Sequence, residues 1–273
     1  MSISRLISGV LLSLFVMLII FVLPNWAFAV VATVLIILAL YEFFTLVEKK
    51  GIALYKYFGT FIGALIPLSI YFKFEPTKGW ELFFIVAACL SLFLLQFTRH
   101  ESSQAIVAIS ATLFGILYVS WFFSFIIKLK LLSDASLGLY GASLVLFLLL
   151  VTKLGDVGAY FVGTYFGKHS LVPRISPKKS VEGALGGLIF SILAAYFAKA
   201  LLPLKVTAYH PLILGFLLGV LGQVGDLSES LVKRDCQVKD SGTIIPGMGG
   251  VLDIIDSLLF TAPIFYFYIR FLL

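Results

Sequence analysis

Apolar runs long enough to cross a lipid bilayer follow one another along this sequence. A helix needs about 20 mostly apolar residues to span a hydrocarbon core, where its backbone must bond to itself. Runs of this kind, bounded by charge, Pro or Asn, lie at 6–23, 27–47, 57–72, 81–97, 105–127, 140–166, 183–202, 211–232 and 251–272. The sequence therefore predicts an all-α, polytopic integral membrane protein with about nine transmembrane helices.

Composition agrees with a bilayer location. Of the 273 residues, 61% are apolar and only 12% are charged, and the mean hydropathy is +1.10. Charge this sparse excludes a soluble nucleic-acid binder and a disordered chain. Two cysteines, Cys89 in an apolar run and Cys236 in a polar loop, are too few for a disulfide scaffold, and we expect no disulfide.

Basic residues predict the orientation of these spans. With the N-terminus inside, 12 of the 20 Lys and Arg residues lie in the cytoplasm and seven lie outside, with Lys153 within a span. The first run also has features of a signal peptide, because Arg5 precedes it and Ala27-Phe28-Ala29 resembles a cleavage site. Its length and the second run directly after it favour a helical hairpin instead.

Three pairs of ionisable residues, each pair spaced three apart, lie at membrane depth in the predicted C-terminal spans. Such groups are costly at membrane depth and usually mark function. Because a spacing of three puts both members on one helix face, each pair can converge on a shared site. The pairs are Lys153 with Asp156, Asp226 with Glu229, and Asp253 with Asp256.

Carboxylates in these pairs predict a Mg²⁺ site. Asp253 and Asp256 have no basic residue within a helical turn, so a divalent cation would relieve their repulsion. Hard oxygen ligands favour Mg²⁺ over zinc. The alternative is that the acids form buried ion pairs with Lys153, Lys233 and Arg234.

Two basic cytoplasmic loops, 167–182 and 233–250, flank these spans. Gly249-Gly250 at the start of a helix offers free N–H groups suited to phosphate. Alone, such loops could simply contact anionic lipid. Together with the carboxylates they favour phosphoryl or nucleotidyl transfer, and no GxxxxGK[ST] motif is present.

Two stretches resemble the phosphatidate cytidylyltransferases, also called CDP-diacylglycerol synthases. The similarity covers about 145–265. One stretch is Ser230-Leu231-Val232-Lys233-Arg234, then Lys239-Asp240, Gly242, Pro246, Gly249-Gly250, Asp253 and Asp256. The other runs from 156 to 187 and includes Gly158-Ala159-Tyr160, Gly167-Lys168, Ser176-Pro177-Lys178-Lys179-Ser180 and Glu182-Gly183.

Two positions depart from the family pattern. Met248 stands where the family usually has His, and Ile254 stands where it usually has Arg. Loss of a cation from a triphosphate site weakens a charge-assisted contact. A weakened or inactive family member is therefore an alternative to an active enzyme.

The resemblance implies transfer of a cytidylyl group from CTP to phosphatidate, with Mg²⁺ as cofactor and room for a second cation. It implies metal binding by Asp226, Asp253 and Asp256, and triphosphate binding by Lys233, Arg234 and Lys239. Ser176, Lys178, Lys179 and Ser180 would bind either the nucleotide or the lipid headgroup. Further substrate contacts are expected from Ser230, Asp240, Gly249 and Gly250, with support from Lys153, Asp156, Glu182 and Glu229.

Residues 155–273 hold 15 of the 23 glycines, and 156–256 hold eight of the 14 acids. We therefore expect an N-terminal scaffold, 1–140, and a catalytic region, 141–273, in the bacterial inner membrane with a cytoplasmic active site. The resemblance allows a homodimer formed through the spans. Two further alternatives stay open from the residues alone. One is a CTP-using enzyme for another lipid, and the other is an ion-coupled transporter in which the buried charges form an ion pathway.

Overall fold

The computed structural model describes residues 13–72, 80–99, 103–134, 139–203, 209–244 and 249–272. In that part of the chain, helices account for most residues. They are α1 (13–21), α2 (Asn25–Lys49), α3 (Lys56–Phe72), α4 (Trp80–Phe97), α5 (Ala105–Gly115), α6 (Phe122–Leu131), α7 (Gly141–Phe166), α8 (Val181–Phe197), α9 (His210–Asp235) and α10 (Val251–Leu272).

Seven of these helical segments are long and apolar enough to cross a membrane. One of them is continuous from Ala105 to Leu131, because a π-helical stretch, Ile116–Trp121, joins α5 to α6. Helix α3 has 17 residues and is shorter than each of these seven segments. Residues 6–12 of the first predicted span lie outside the described residues. The all-α, polytopic fold is confirmed, and nine is an approximate count of spans.

The chain packs as two compact units. The first unit consists of Met1–Lys128 and Asp235–Ile254, and the second of Leu129–Arg234 and Ile255–Leu273. These units are defined by packing alone. The predicted division of roles between 1–140 and 141–273 stays a prediction.

In the first unit, a proline inside α3 is compensated by a serine from the π-helical stretch. Pro67 has no N–H, so the carbonyl of Gly63, four residues earlier, loses its helical donor. The buried Ser120 hydroxyl donates to this carbonyl at 2.5 Å. Serine hydroxyls commonly satisfy backbone groups that a proline leaves open in membrane helices.

In the second unit, small residues allow α7 and α8 to approach closely. A Cβ at Gly183 would lie 2.9 Å from the Ala159 carbonyl oxygen, and one at Gly187 would lie 3.0 Å from the Gly155 carbonyl oxygen. Side chains larger than hydrogen would push the helices apart. Several glycines of the C-terminal half therefore serve helix packing, a common use in membrane bundles.

Two short antiparallel hairpins interrupt the helices. Strand β1 (Ser133–Asp134) pairs with β2 (Leu139–Tyr140), and β3 (Ser170–Val172) pairs with β4 (Ser176–Ser180). The second hairpin lies in the predicted basic loop 167–182 and gives that loop a fixed shape. Cys89 and Cys236 are both free, which confirms that they form no disulfide.

Candidate active site

A charged network lies along α7 in the second unit. The Lys153 Nζ atom is 3.1 Å from Asp156 Oδ2 and donates to Ser257 Oγ at 3.0 Å. The Ser257 hydroxyl is in turn 3.3 Å from Asp156 Oδ2. The ion pair that the sequence offered for Lys153 and Asp156 is therefore present, and a serine of α10 completes it.

Asp256 and Asp226 belong to the same unit. Asp256 is 7% exposed and accepts the Ser257 backbone N–H at 2.5 Å. It is close enough to Asp226, Asp156 and Lys153 to interact with them electrostatically. Asp226 is more open, with its Oδ2 atom 2.6 Å from Lys179 Nζ. Lys179 comes from strand β4, so the first basic loop contributes directly to this acidic cluster.

Glu182 anchors the loop that carries Lys179. Its carboxylate accepts the backbone N–H groups of Lys168 at 3.0 Å and His169 at 3.2 Å, and its Oε1 atom is 2.6 Å from His169 Nδ1. Ser180 caps α8 by accepting the Gly183 N–H at 3.0 Å. A side-chain oxygen at this position satisfies one of the open donors of a helix N-terminus. Glu182 and Ser180 thus act on the shape of the loop.

The last turns of α9 hold three further predicted residues. Glu229, 1% exposed, pairs with Lys233 across one helical turn at 2.6 Å. Arg234 Nε donates to the Ile175 carbonyl oxygen at 3.1 Å, in the turn of the β3–β4 hairpin. Asp226 and Glu229 therefore have different lysine partners, so the convergence expected of that pair is not seen.

Asp253 is surrounded by hydrogen-bond donors of the first unit. Its Oδ2 atom accepts the Gly250 N–H at 2.7 Å, the Ser241 N–H at 3.1 Å and the Ser241 hydroxyl at 2.8 Å. An acid in the first turn that accepts the N–H of the residue before the helix forms one half of a capping box, and Gly250 has no side chain to form the other half. One carboxylate oxygen of Asp253 is thus committed to shaping the second loop.

A second carboxylate, that of Glu42 in α2, binds the first two N–H groups of α10. It accepts the N–H groups of Val251 at 3.0 Å and Leu252 at 2.9 Å. The expectation of free N–H groups after Gly249-Gly250 is therefore wrong, because protein carboxylates already accept the N–H groups of Gly250, Val251 and Leu252. Any role of Gly249 and Gly250 in substrate binding would need other contacts.

The glycines of this segment are required by space and by backbone conformation. Gly249 has a φ of +98°, in the region that side chains rarely adopt. A Cβ at Gly250 would clash with the Ser241 hydroxyl and the Glu42 carboxylate. The glycine motif therefore lets the loop close around two acids.

The remaining predicted residues differ in exposure. Lys178, Lys239 and Asp240 are exposed, while Ser176, Ser230 and Ile254 are half-buried. Met248 lies outside the described residues. The exposed lysines of the two basic loops are therefore accessible to an anionic ligand.

Carboxylate oxygens at the second-unit cluster suit Mg²⁺. Across the part of the chain that the structure describes, no three His, Cys, Asp or Glu side chains form a group that could hold a metal ion. Magnesium is usually bound by one or two carboxylates together with substrate phosphates and water. The oxygens of Asp226 and Asp256 fit that requirement.

Sequence reasoning missed Glu42, Ser241, Ser257 and Gln223. Glu42 is an acid inside the predicted span 27–47, so the rule applied to the other buried charges would have found it. Gln223 donates to the Ala184 carbonyl at 2.9 Å and so links α9 to α8. Ser257 and Ser241 carry no pattern in the sequence that separates them from ordinary serines.

Comparison with known proteins gives one consistent family. The model of the cytidylyltransferase family matches residues 3–272. A phosphatidate cytidylyltransferase of Bacillus subtilis is 30% identical over 97% of this chain and 96% of its own length. One of Thermotoga maritima is 35% identical over 85% of this chain and 83% of its own.

A relative without an assigned function is equally similar. The uncharacterized protein YnbB of Escherichia coli is 34% identical over 91% of this chain and 80% of its own length. These relationships do not favour an ion-coupled transporter, an inactive relative or an enzyme for another lipid. The chain is an integral membrane protein that belongs to the cytidylyltransferase family.

Proposed function

We propose that this protein transfers a cytidylyl group from CTP to phosphatidate, giving CDP-diacylglycerol and pyrophosphate. A phosphate oxygen of phosphatidate bonds to the α-phosphorus of CTP. The bond from that phosphorus to the oxygen bridging to the β-phosphate breaks, and pyrophosphate leaves with the electron pair. The observation that carries the proposal is the relationship, over nearly the whole chain, to proteins named phosphatidate cytidylyltransferase.

Positive charge is what this reaction most needs from the protein. The attacking phosphate is already ionised at neutral pH, so positioning and charge neutralisation supply most of the rate. We assign contacts with the triphosphate to Lys233, Arg234 and Lys239. Lys178 and Lys179, with Ser176 and Ser180, bind a phosphate of either substrate.

We assign Mg²⁺ binding to Asp226 and Asp256. Asp253, three residues before Asp256 in α10, is the third proposed ligand on the ground of helical spacing. When bound, Mg²⁺ neutralises nucleotide phosphate charge and withdraws electron density from the α-phosphorus. Lys179 holds the Asp226 carboxylate at 2.6 Å and must release it when a cation binds there.

We also propose that the N-terminus and the active site face the cytoplasm. CTP then arrives from water while phosphatidate enters sideways from the leaflet. A cysteine placed at exposed Lys178, in a chain lacking the native cysteines, tests this. In right-side-out vesicles a membrane-impermeant maleimide should label it only after permeabilisation. A homodimer through the spans is part of the proposal, and light scattering of the detergent-solubilised protein measures it.

The direct test is transfer of radiolabel from CTP into chloroform-soluble lipid by the purified protein. Label should appear only with both phosphatidate and Mg²⁺ present. Asp226→Asn should lower the rate about 100-fold or more, the usual cost of removing a preorganised charge from an active site. The matched control is Asp235→Asn, an exposed acid at the end of the same helix, which should stay within about twofold.

No label from protein shown to be folded would contradict the proposal. Met248→His combined with Ile254→Arg would then separate two causes. Recovery of transfer would identify an inactivated synthase, whereas continued inactivity would remove this reaction from the chain.

A further inference from the structure

Glu42 is a buried acid whose hydrogen-bond partners, among the residues that the structure describes, lie in one short segment, 241–252. It lies in α2 and is 5% exposed. Its Oε1 atom accepts the Val251 N–H at 3.0 Å, and its Oε2 atom accepts the Leu252 N–H at 2.9 Å and lies 3.2 Å from the Ser241 hydroxyl. These four residues belong to the first unit. Glu42, some 200 positions earlier in the chain, thus accepts the N–H groups at the N-terminus of α10.

Helix physics explains why an acid occupies this place. The first N–H groups of a helix have no acceptor within the helix, and their dipoles favour a negative charge. A buried carboxylate needs such donors, because an unsatisfied buried charge is strongly unfavourable. The Glu42 carboxylate and the first N–H groups of α10 therefore satisfy each other's hydrogen-bonding needs. Replacing Glu42 would leave buried N–H donors without an acceptor.

The contact reaches Asp253 through Ser241. The Ser241 hydroxyl lies 3.2 Å from Glu42 and 2.8 Å from Asp253, and its single proton can serve only one of them at a time. Its backbone N–H also donates to Asp253 at 3.1 Å. Ser241 is thus held between two carboxylates, and the position of one constrains the other.

We propose that Glu42 is a positioning residue for cytidylyl transfer. It holds Ser241 and the first turn of α10 in the arrangement that orients the Asp253 carboxylate. The proposal rests on the proposed function, because Asp253 matters to the reaction only as a ligand of the required cation. Glu42 itself contacts neither substrate nor cation.

Hydrogen–deuterium exchange tests the positioning directly. In Glu42→Gln the side chain keeps its size but loses one acceptor oxygen and the charge. The Val251 and Leu252 amides should exchange about tenfold faster, as expected for loss of a bond to a charged group. Amides of α3 should be unchanged. The matched control is Glu48→Gln, in the same helix, whose partner is Lys56 rather than α10.

Kinetics then test the link to the reaction. Glu42→Gln should raise the Mg²⁺ concentration for half-maximal rate about fivefold or more, while the KM for phosphatidate stays within about twofold. Ser241→Ala is a second variant that removes the hydroxyl but leaves both backbone bonds to Glu42. It should raise the Mg²⁺ requirement without faster exchange at Val251 and Leu252.

Three results would overturn the proposal. The first is unchanged exchange at Val251 and Leu252 in Glu42→Gln. The second is equal acceleration throughout the first unit, which would mean general destabilisation. The third is an equal rise in both kinetic constants. If the unaltered protein transfers no label, the proposed function fails separately, and exchange still decides whether Glu42 holds the segment.

Discussion

Two candidate-site carboxylates of the first unit and three of the second are balanced by different kinds of partner, while Glu182 and Asp256 of the second unit also accept backbone N–H groups. In the first unit, Glu42 and Asp253 accept hydrogen bonds from backbone N–H groups and from Ser241. In the second unit, Asp156, Asp226 and Glu229 pair with Lys153, Lys179 and Lys233. One set is bound to the main chain and the other to flexible ammonium groups.

This difference suggests different roles for the two sets of carboxylates. One set holds a loop in shape, and the other can exchange its charged partners. A backbone N–H is held in place by its segment, whereas lysine has a long, flexible stem and can turn to another anion. The first set is therefore suited to fixing a loop. The second set can accept a cation at the carboxylate and offer the released lysine to phosphate.

The largest effect is expected from Asp253→Asn, which tests whether an acid of the first set also supplies charge to the reaction. Asparagine keeps an oxygen that can accept the Gly250 and Ser241 N–H groups, so the loop should hold, but the negative charge is lost. We expect turnover to fall about 100-fold or more, with the protein folded in the membrane. Label transfer and exchange at Gly250 to Leu252 measure the two effects. Turnover near that of the unaltered protein would restrict Asp253 to capping.

A second prediction concerns Gly225 of α9, which packs closely against the acidic cluster of the second unit. A Cβ at Gly225 would lie 2.6 Å from the Asp256 carbonyl oxygen and 3.1 Å from the Ser257 Cα, and backbone cannot move aside cheaply. Gly225→Ala should lower the free energy of unfolding by about 1–3 kcal/mol. Thermal unfolding in detergent measures this.

The matched control for that test lies three residues earlier in α9. At Gly222 the nearest atom to an added Cβ is Thr152 Cγ2 at 3.4 Å, which is ordinary contact. Gly222→Ala should therefore be neutral or slightly stabilising, since alanine favours helix. Equal losses from both variants would show that general helix crowding, not the contact with Asp256, sets the cost.

A third, smaller effect is expected from the lysine that holds Asp226. Lys179→Met removes the ammonium group that competes with a cation for this carboxylate. Because the pair is partly exposed and screened, we expect Mn²⁺, used in place of Mg²⁺, to bind about three- to tenfold more tightly without substrates. Electron paramagnetic resonance measures the free ion. Lys178→Met, at the exposed neighbouring position, should leave Mn²⁺ binding unchanged, and weaker binding in Lys179→Met would contradict the competition.

The smallest effect concerns the Cys236 thiol, which follows Asp235, an acid of the first unit that pairs with Lys50. Burial raises the pKa of Cys236, the Asp235 carboxylate raises it further, and Lys50 and Lys49 lower it. Asp235→Asn should therefore lower this pKa, increase the thiolate fraction at pH 8 and speed alkylation about twofold. The rate with iodoacetamide, in a Cys89→Ser background, measures this. Asp240→Asn is the control, and a slower reaction in Asp235→Asn would reverse the assigned sign.

Most of the fold could be predicted because membrane helices carry their signal locally. Apolar runs located the helices from α2 to α10 within about five residues of their observed ends, with α5 and α6 predicted as one run, 105–127. The π-helical stretch within Ala105–Leu131 and the β3–β4 hairpin could not be found this way. The π-helical stretch depends on the hydrogen bond from Ser120 to the Gly63 carbonyl. The hairpin depends on Glu182, which accepts two backbone N–H groups from the other side of the loop.

The candidate site was predictable in its residue types but less so in its pairings. Spacing along one helix identified Lys153 with Asp156, because both partners lie on the same face. It could not identify Lys179 as the partner of Asp226, since that contact needs strand β4 beside α9. The partners of Glu42 lie about 200 residues away in the sequence, so the local sequence pattern does not indicate them.

The hydrogen bond from Ser120 to Gly63 also makes two distant positions interdependent. With Pro67 present, Ser120→Ala leaves a buried carbonyl without its donor and should destabilise the protein. With Pro67→Ala in the same chain, the helix regains its own N–H at that position and the serine becomes dispensable. Each substitution thus changes the cost of the other, so these two sites should be altered together when this membrane helix is redesigned.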